Sequence, residues 1–172
     1  MHNKNHLSIY GIGPTYTISI VVLTIAGIIL SNHGLLESGK ISALYIPFIV
    51  IGSILIIFGI ILWLRANFES KIFKNIKSNS LVTSGVYSLV RNPIYSAISM
   101  ICIGILFFEN NLWLLVLPFI FWGLLTTMLK ATEEKWLYEL YGDEFLKYCG
   151  TVNRCIPWFK KKIYPYKKGQ HH

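Results

Sequence analysis

The chain has 172 residues, of which 53% are hydrophobic and only 14% charged. Soluble domains carry about 25% charged residues, so this composition excludes an ordinary soluble protein. The apolar residues are gathered into four blocks, which indicates one integral membrane domain. A net charge of +8 would suggest nucleic acid in a soluble chain, but here the bases flank apolar blocks, as Lys71, Lys74 and Lys77 and as Lys160, Lys161 and Lys162. That placement fits anionic lipid headgroups on the cytoplasmic side, and no nucleic-acid motif accompanies it.

A polar, turn-like start leads into a first apolar run over residues 15–31. It has no polar face, which favours a spanning helix over a buried one. The second run, 43–64, is uncharged throughout. Pro47 sits in its first turn, where a missing N–H costs least, and Trp63 suits the membrane interface. Residues 65–92 form the longest polar connection, with Arg65, Lys71, Lys74, Lys77 and Arg91 against the single acid Glu69. The positive-inside rule makes it cytoplasmic. Within it, residues 68–76 fit a short amphipathic helix lying along the interface.

The third run, 93–108, has a clear start: Asn92 as N-cap and Pro93 as first helical residue. Glu109, Asn110 and Asn111 form a tight turn, and the fourth run, 112–129, returns at once. The last two runs are therefore expected to form an antiparallel helical hairpin. No helix breaker intervenes between Lys130 and Gly142, so the fourth helix is expected to leave the bilayer and continue to about Gly142. A further helical turn carries Phe145 and Tyr148 before a basic tail. The expected fold is all-α integral membrane: four transmembrane helices, with a cytoplasmic C-terminal helical extension and tail. Both termini are then cytoplasmic, and the short loops and lysine-rich usage fit a bacterial inner (plasma) membrane.

Polar groups concentrate in residues 85–95 and 130–154, at the same end of the expected hairpin and facing each other across a cleft. Arg91, at the mouth of a helix N-terminus, makes a spot that welcomes a carboxylate or phosphate. Taken alone, a snorkelling anchor at the headgroups is the simpler account of it. Tyr95, one turn inside, reads equally as an interfacial anchor. Glu133 and Glu134 read either as a solvated helix face pairing with Lys130 or as counter-charge for a cationic ligand. Consecutive helical residues point about 100° apart, so at most one of the two is expected to face the cleft squarely. His2, His6, His33, His171 and His172 are terminal or in the far-side linker. Cys102, Cys149 and Cys155 have no paired spacing, so no metal site is read, and hydrolase motifs are absent from the sequence.

The run Leu81-Val82-Thr83-Ser84-Gly85-Val86-Tyr87, followed by Arg91-Asn92-Pro93-Ile94-Tyr95, resembles the L-V-T-x-G-x-Y…R-H-P-x-Y signature of a superfamily of integral membrane methyltransferases. That superfamily includes isoprenylcysteine carboxyl methyltransferases and phospholipid methyltransferases. Glu133-Glu134, Leu137, Tyr141-Gly142, Tyr148, Val152, Arg154 and Pro157 are similar to its E-E-x-x-L…F-G-x-x-Y-x-x-Y-x-x-x-V-P-R-x-x-P block. The likeness covers residues 81–159, which form the expected cofactor-binding part. Asn92 stands for the frequent histidine, Ala97 for a glycine, Phe145 for a tyrosine and Asn153 for a proline.

The resemblance implies S-adenosyl-L-methionine as methyl donor and a lipophilic small-molecule or lipid acceptor reaching the site from the bilayer. It implies cofactor contacts from Tyr87, Val90, Arg91, Asn92, Pro93, Tyr95, Glu133, Glu134 and Tyr148, with Arg91 and Glu134 as the catalytic pair. Arg91 would hold the cofactor carboxylate, and Glu134 would take a proton if the acceptor were an amine or alcohol. O-methylation of a carboxylate or enol is preferred, because such an acceptor needs no strong base. The alternatives are a phospholipid N-methyltransferase, an NADPH-dependent reductase of related fold and a non-enzymatic membrane scaffold.

Overall fold

Proline marks three helix starts in this chain, because its missing N–H falls where the first turn has no partner for one. Pro14, Pro93 and Pro118 each sit at the first or second position of a helix. The computed structural model describes residues 11–69 and 81–156. Among these the helices are α1 (Gly13–Asn32), α2 (Tyr45–Glu69), α3 (Pro93–Phe108), α4 (Leu117–Ala131), α5 (Glu133–Tyr141) and α6 (Asp143–Thr151). No strand occurs among the described residues; two isolated β-bridges join Lys40 to Asn111 and Val90 to Asn153. The expected interfacial helix over residues 68–76 falls largely outside the described residues, as do Lys77 and the tail from Pro157.

The apolar surface is turned outward as well as inward. Helix α1 buries Tyr16, Ile20, Thr24, Gly27 and Ser31 along one face while exposing Ile18, Val22 and Ile25. The hidden face is thus no more apolar than the open one, which suits a helix surrounded by lipid. Three helical stretches are long and apolar enough to cross a membrane: Gly13–Asn32, Ser42–Phe68 and Leu112–Tyr141. The apolar part of the last ends at Leu129. Helix α3 is apolar but shorter; it rises about 24 Å, less than the roughly 30 Å of a bilayer core. Of the four expected spans, three therefore have full length.

The core lies between α1, α3 and α4, where Tyr16, Ile20, Cys102, Leu106, Phe121, Leu125 and Leu129 interlock. Helix α3 is nonetheless packed most closely on α2, not on its hairpin partner. A Cβ on Gly104 would stand 2.7 Å from the Gly52 carbonyl oxygen, and one on Gly59 would stand 2.9 Å from that of Ala97. Gly52 and Gly59 are one heptad apart, as are Ala97 and Gly104, so two small residues per helix meet in antiparallel register. In lipid, where apolar burial drives little association, such close backbone approach is the main source of helix–helix attraction.

Two boundaries differ from expectation. Residues Leu112–Val116 wind as a 3-10 segment, and α4 proper begins only at Leu117. Pro118 accounts for this, since its ring would clash with the carbonyl four residues back in a continuous α-helix. The fourth helix also does not run unbroken to Gly142. Thr132 leaves helical geometry (φ −129°, ψ −86°), and its hydroxyl donates to Met128 O at 2.7 Å. That break lets α5 leave α4 in a new direction. The Asn110 turn is as expected, with φ +47° in the left-handed region.

Candidate functional site

The connection into α3 and the segment after α6 run side by side. Arg91 N donates to Asn153 O at 2.8 Å, and Asn92 N donates to Arg154 O at 3.2 Å. Asn92 stands at the N-cap position of α3, but its side chain makes no cap. Its Nδ2 instead donates to Arg154 O at 3.0 Å, so it ties down the C-terminal segment. Ser96 Oγ, one turn into α3, reaches Cys155 O at 2.5 Å and Asn92 O at 2.9 Å. All but the Ser96–Asn92 bond join residues about 60 apart in sequence, and they place two guanidinium groups together.

Glu134, in the first turn of α5, lies between those groups. Arg154 grips it in a fork, Nε to Oε1 at 2.5 Å and Nη2 to Oε2 at 2.8 Å. Arg91 Nη2 approaches the same Oε1 at 3.1 Å. The side chains of Arg91 and Glu134 are only 10% and 16% exposed, so their mutual attraction is screened far less than on an open surface. Burial works to raise the Glu134 carboxyl, but the Arg154 bond and the charges of Arg91, Arg154 and Lys130 outweigh it. They hold the group below its ordinary value. Glu134 thus meets the two arginines as a carboxylate whose basicity they weaken. The same bond raises the Arg154 guanidinium.

The rest of Arg91 is equally enclosed. Its Nη1 donates to Cys149 Sγ, and its guanidinium carbon stands 5.8 Å from the Phe145 ring centre. Burial pushes the Cys149 thiol up, partly offset by Arg91, and pushes Cys155 to about 12. One polar atom stays over: Arg91 Nε is buried and has no hydrogen-bond partner among the described residues. Buried donors are rarely left so, and such an atom is a place for a ligand to bond.

Glu133 faces elsewhere. Its Oε1 accepts from Tyr95 Oη at 2.7 Å and from Ile12 N at 2.9 Å, clasping α5 to α3 and to the start of α1. Gly11 permits this approach. Its φ is +48°, and a Cβ there would overlap Glu133 Oε1. Both acids thus point into the protein, but to different partners, and only Glu134 joins Arg91. Tyr148 Oη donates to Tyr87 O at 2.6 Å, closing the 3-10 turn Gly85–Ser88 against α6. Burial lifts the Tyr87 hydroxyl to about 12 and raises that of Tyr148. Val90 and Pro93 are fully buried, and Val90 enters the site through its bridge to Asn153.

A cleft of about 380 Å³ opens beside this cluster, lined by Arg91, Trp122 and residues 152–156. Its volume falls within the roughly 300–1,000 Å³ of small-molecule sites. Arg154 and Trp122 have no role in the sequence reading beyond the place of Arg154 in a motif. The motif position of Arg154 is a usable signal; a tryptophan inside an apolar run is not.

Fold and site together define an all-helical membrane protein with a charged pocket where its apolar helices end. The family described as phospholipid methyltransferase matches residues 47–144, more than half of the chain. The chain belongs to that family, within the superfamily of integral membrane methyltransferases. The match takes in Arg91, Glu133 and Glu134 and stops short of Tyr148 and Arg154. Protein-S-isoprenylcysteine O-methyltransferase of Saccharomyces cerevisiae is 32% identical over 117 residues, which cover 63% of this chain and 48% of that protein. The chain thus spans about half the length of this curated relative. No solved structure matches it significantly.

Proposed function

We propose that the protein transfers a methyl group from S-adenosyl-L-methionine to a small lipophilic acceptor, by O-methylation of a carboxylate or enol. The observation that carries this reading is the pair Arg91 and Arg154 sharing the single carboxylate of Glu134 beside the cleft. Two positive charges against one negative leave a net attraction for an anion. The residues suit the cofactor: guanidinium donors for its carboxylate, including the free Arg91 Nε, an acid for its amino group and aromatic rings near a cation. When bound, the cofactor supplies an electrophilic methyl group.

The chain's own residues then do three things. Arg91 and Arg154 hold and orient carboxylates, while Glu134 keeps the two guanidiniums from repelling each other. The Tyr148–Tyr87 bond and the Asn92–Arg154 bond fix the connection into α3 against the C-terminal segment, supplying alignment. Glu133 and Tyr95 hold the wall toward α1. The name of the family favours a phospholipid acceptor. An amine acceptor, however, needs a proton acceptor, and Glu134 between two arginines is poorly suited to that work. An acceptor that is already an anion fits better.

In this reading α3 is a short fourth pass, and the site and both termini face the cytoplasm of a bacterial inner membrane. Titration of the purified protein in detergent with S-adenosyl-L-methionine should show saturable binding that Arg91→Ala weakens. Absence of saturable binding to the wild-type protein would refute the reading. Transfer of labelled methyl into a total lipid extract would then identify the acceptor.

A further inference from the structure

The cleft is lined by chemically different groups: the guanidiniums of Arg91 and Arg154, and the indole of Trp122, which is 54% exposed. Trp122 lies about 13 Å below the end of α4 at 1.5 Å per residue. Tryptophans on membrane helices usually sit at the interface, as anchors near the headgroups. Trp113 and Trp136 stand near the two ends of the stretch Leu112–Tyr141, whereas Trp122 is in the middle of its apolar part. Anchoring does not explain it.

Trp122 has polar neighbours on α4. Thr126, one helical turn further along the same flank, has a buried Oγ1 with no hydrogen-bond partner among the described residues. Thr127 and Thr132 instead return their hydroxyls to carbonyls of the preceding turn. The cleft therefore sets a large apolar side chain beside two guanidinium groups, surroundings suited to an amphiphile with an anionic head and a hydrocarbon chain.

We propose that Trp122 is the specificity-determining residue for the acceptor: its indole sets the length and bulk of the hydrocarbon chain that the cleft admits. The inference rests on the methyltransferase reading above and adds the residue that would select among acceptors. A pocket wall that meets a chain end discriminates by roughly tenfold or more per methylene, so removing the indole should relax selection by at least that factor.

The test uses the full-length protein with octanoate, dodecanoate and hexadecanoate as probe acceptors. Ratios of kcat/KM between chains are compared within each variant, so a general loss of activity cancels. Trp122→Ala should shift the ratio toward the longest chain by roughly tenfold, with Trp122→Phe in between. An unchanged ratio overturns the proposal. Binding is read without turnover by quenching of indole fluorescence with dodecanoate brominated at its chain end. Quenching in the wild type that is lost in Trp122→Phe supports the proposal; equal quenching in both overturns it. If the wild-type protein binds S-adenosyl-L-methionine and the chain ratio does not move, only the role of Trp122 falls. If it does not bind that cofactor, the methyltransferase reading falls instead.

Discussion

Replacing Glu134 by glutamine removes one negative charge and leaves two guanidinium groups facing each other. Arg154 exchanges a charged fork, at 2.5 and 2.8 Å, for at most one bond to a neutral amide oxygen, and Arg91 loses the negative charge of its partner at 3.1 Å. Removing one member of a buried ion pair costs about 3–5 kcal/mol, chiefly because the remaining charge is left unpaired. With Glu134 16% exposed and Arg154 22% exposed, water reaches part of the cluster, and the low end, about 3 kcal/mol, is expected. For a chain of this size that lowers the Tm by roughly 6–12 °C. Thermal unfolding of the purified protein in detergent reads the effect directly. Combining Glu134→Gln with Arg154→Gln should recover part of the loss, giving a coupling energy of about 1–3 kcal/mol. If Glu134→Gln unfolds at the wild-type temperature and the cycle shows no coupling, the two arginines are not held by this acid. The account of the site then fails.

Three further outcomes follow from the same structure. The Glu134 carboxyl is held below its ordinary value of 4.5 in the folded state. Its contribution is therefore complete above pH 4.5 and disappears as pH falls through the depressed value, so Glu134→Gln should flatten the acid limb of a Tm-versus-pH curve. Gly104→Leu drives a side chain into the Gly52 carbonyl and Ile56, both 2.7 Å from the new Cβ. It should destabilise the α2–α3 pair by about 1–3 kcal/mol, measured as a lower Tm, while Gly123→Leu, which meets nothing, should not. Tyr148→Phe removes the 2.6 Å bond to Tyr87 O. It should cost about 1–2 kcal/mol and speed proteolysis at the connection into α3, because a part-buried carbonyl loses its donor.

Much of this protein is legible from its residues in order. The apolar blocks mark where helices lie, since lipid admits few other backbone arrangements. Pro93 starts α3, and Asn110 turns the chain into the next run, because both act through their own backbone geometry. The pairing of residues 81–95 with 133–154 is also visible, through two motif blocks on either side of a hairpin. What local sequence could not settle is which groups meet. Glu133 and Glu134 are adjacent and chemically identical, yet one clasps Tyr95 and Ile12 N while the other holds Arg91 and Arg154. That division depends on the break at Thr132, which re-aims α5, and on the bonds that draw residues 153–155 along the start of α3. The choice of α2 as the closest neighbour of α3 is likewise tertiary. Glycines one heptad apart become a contact only when a second helix brings small residues to the same height.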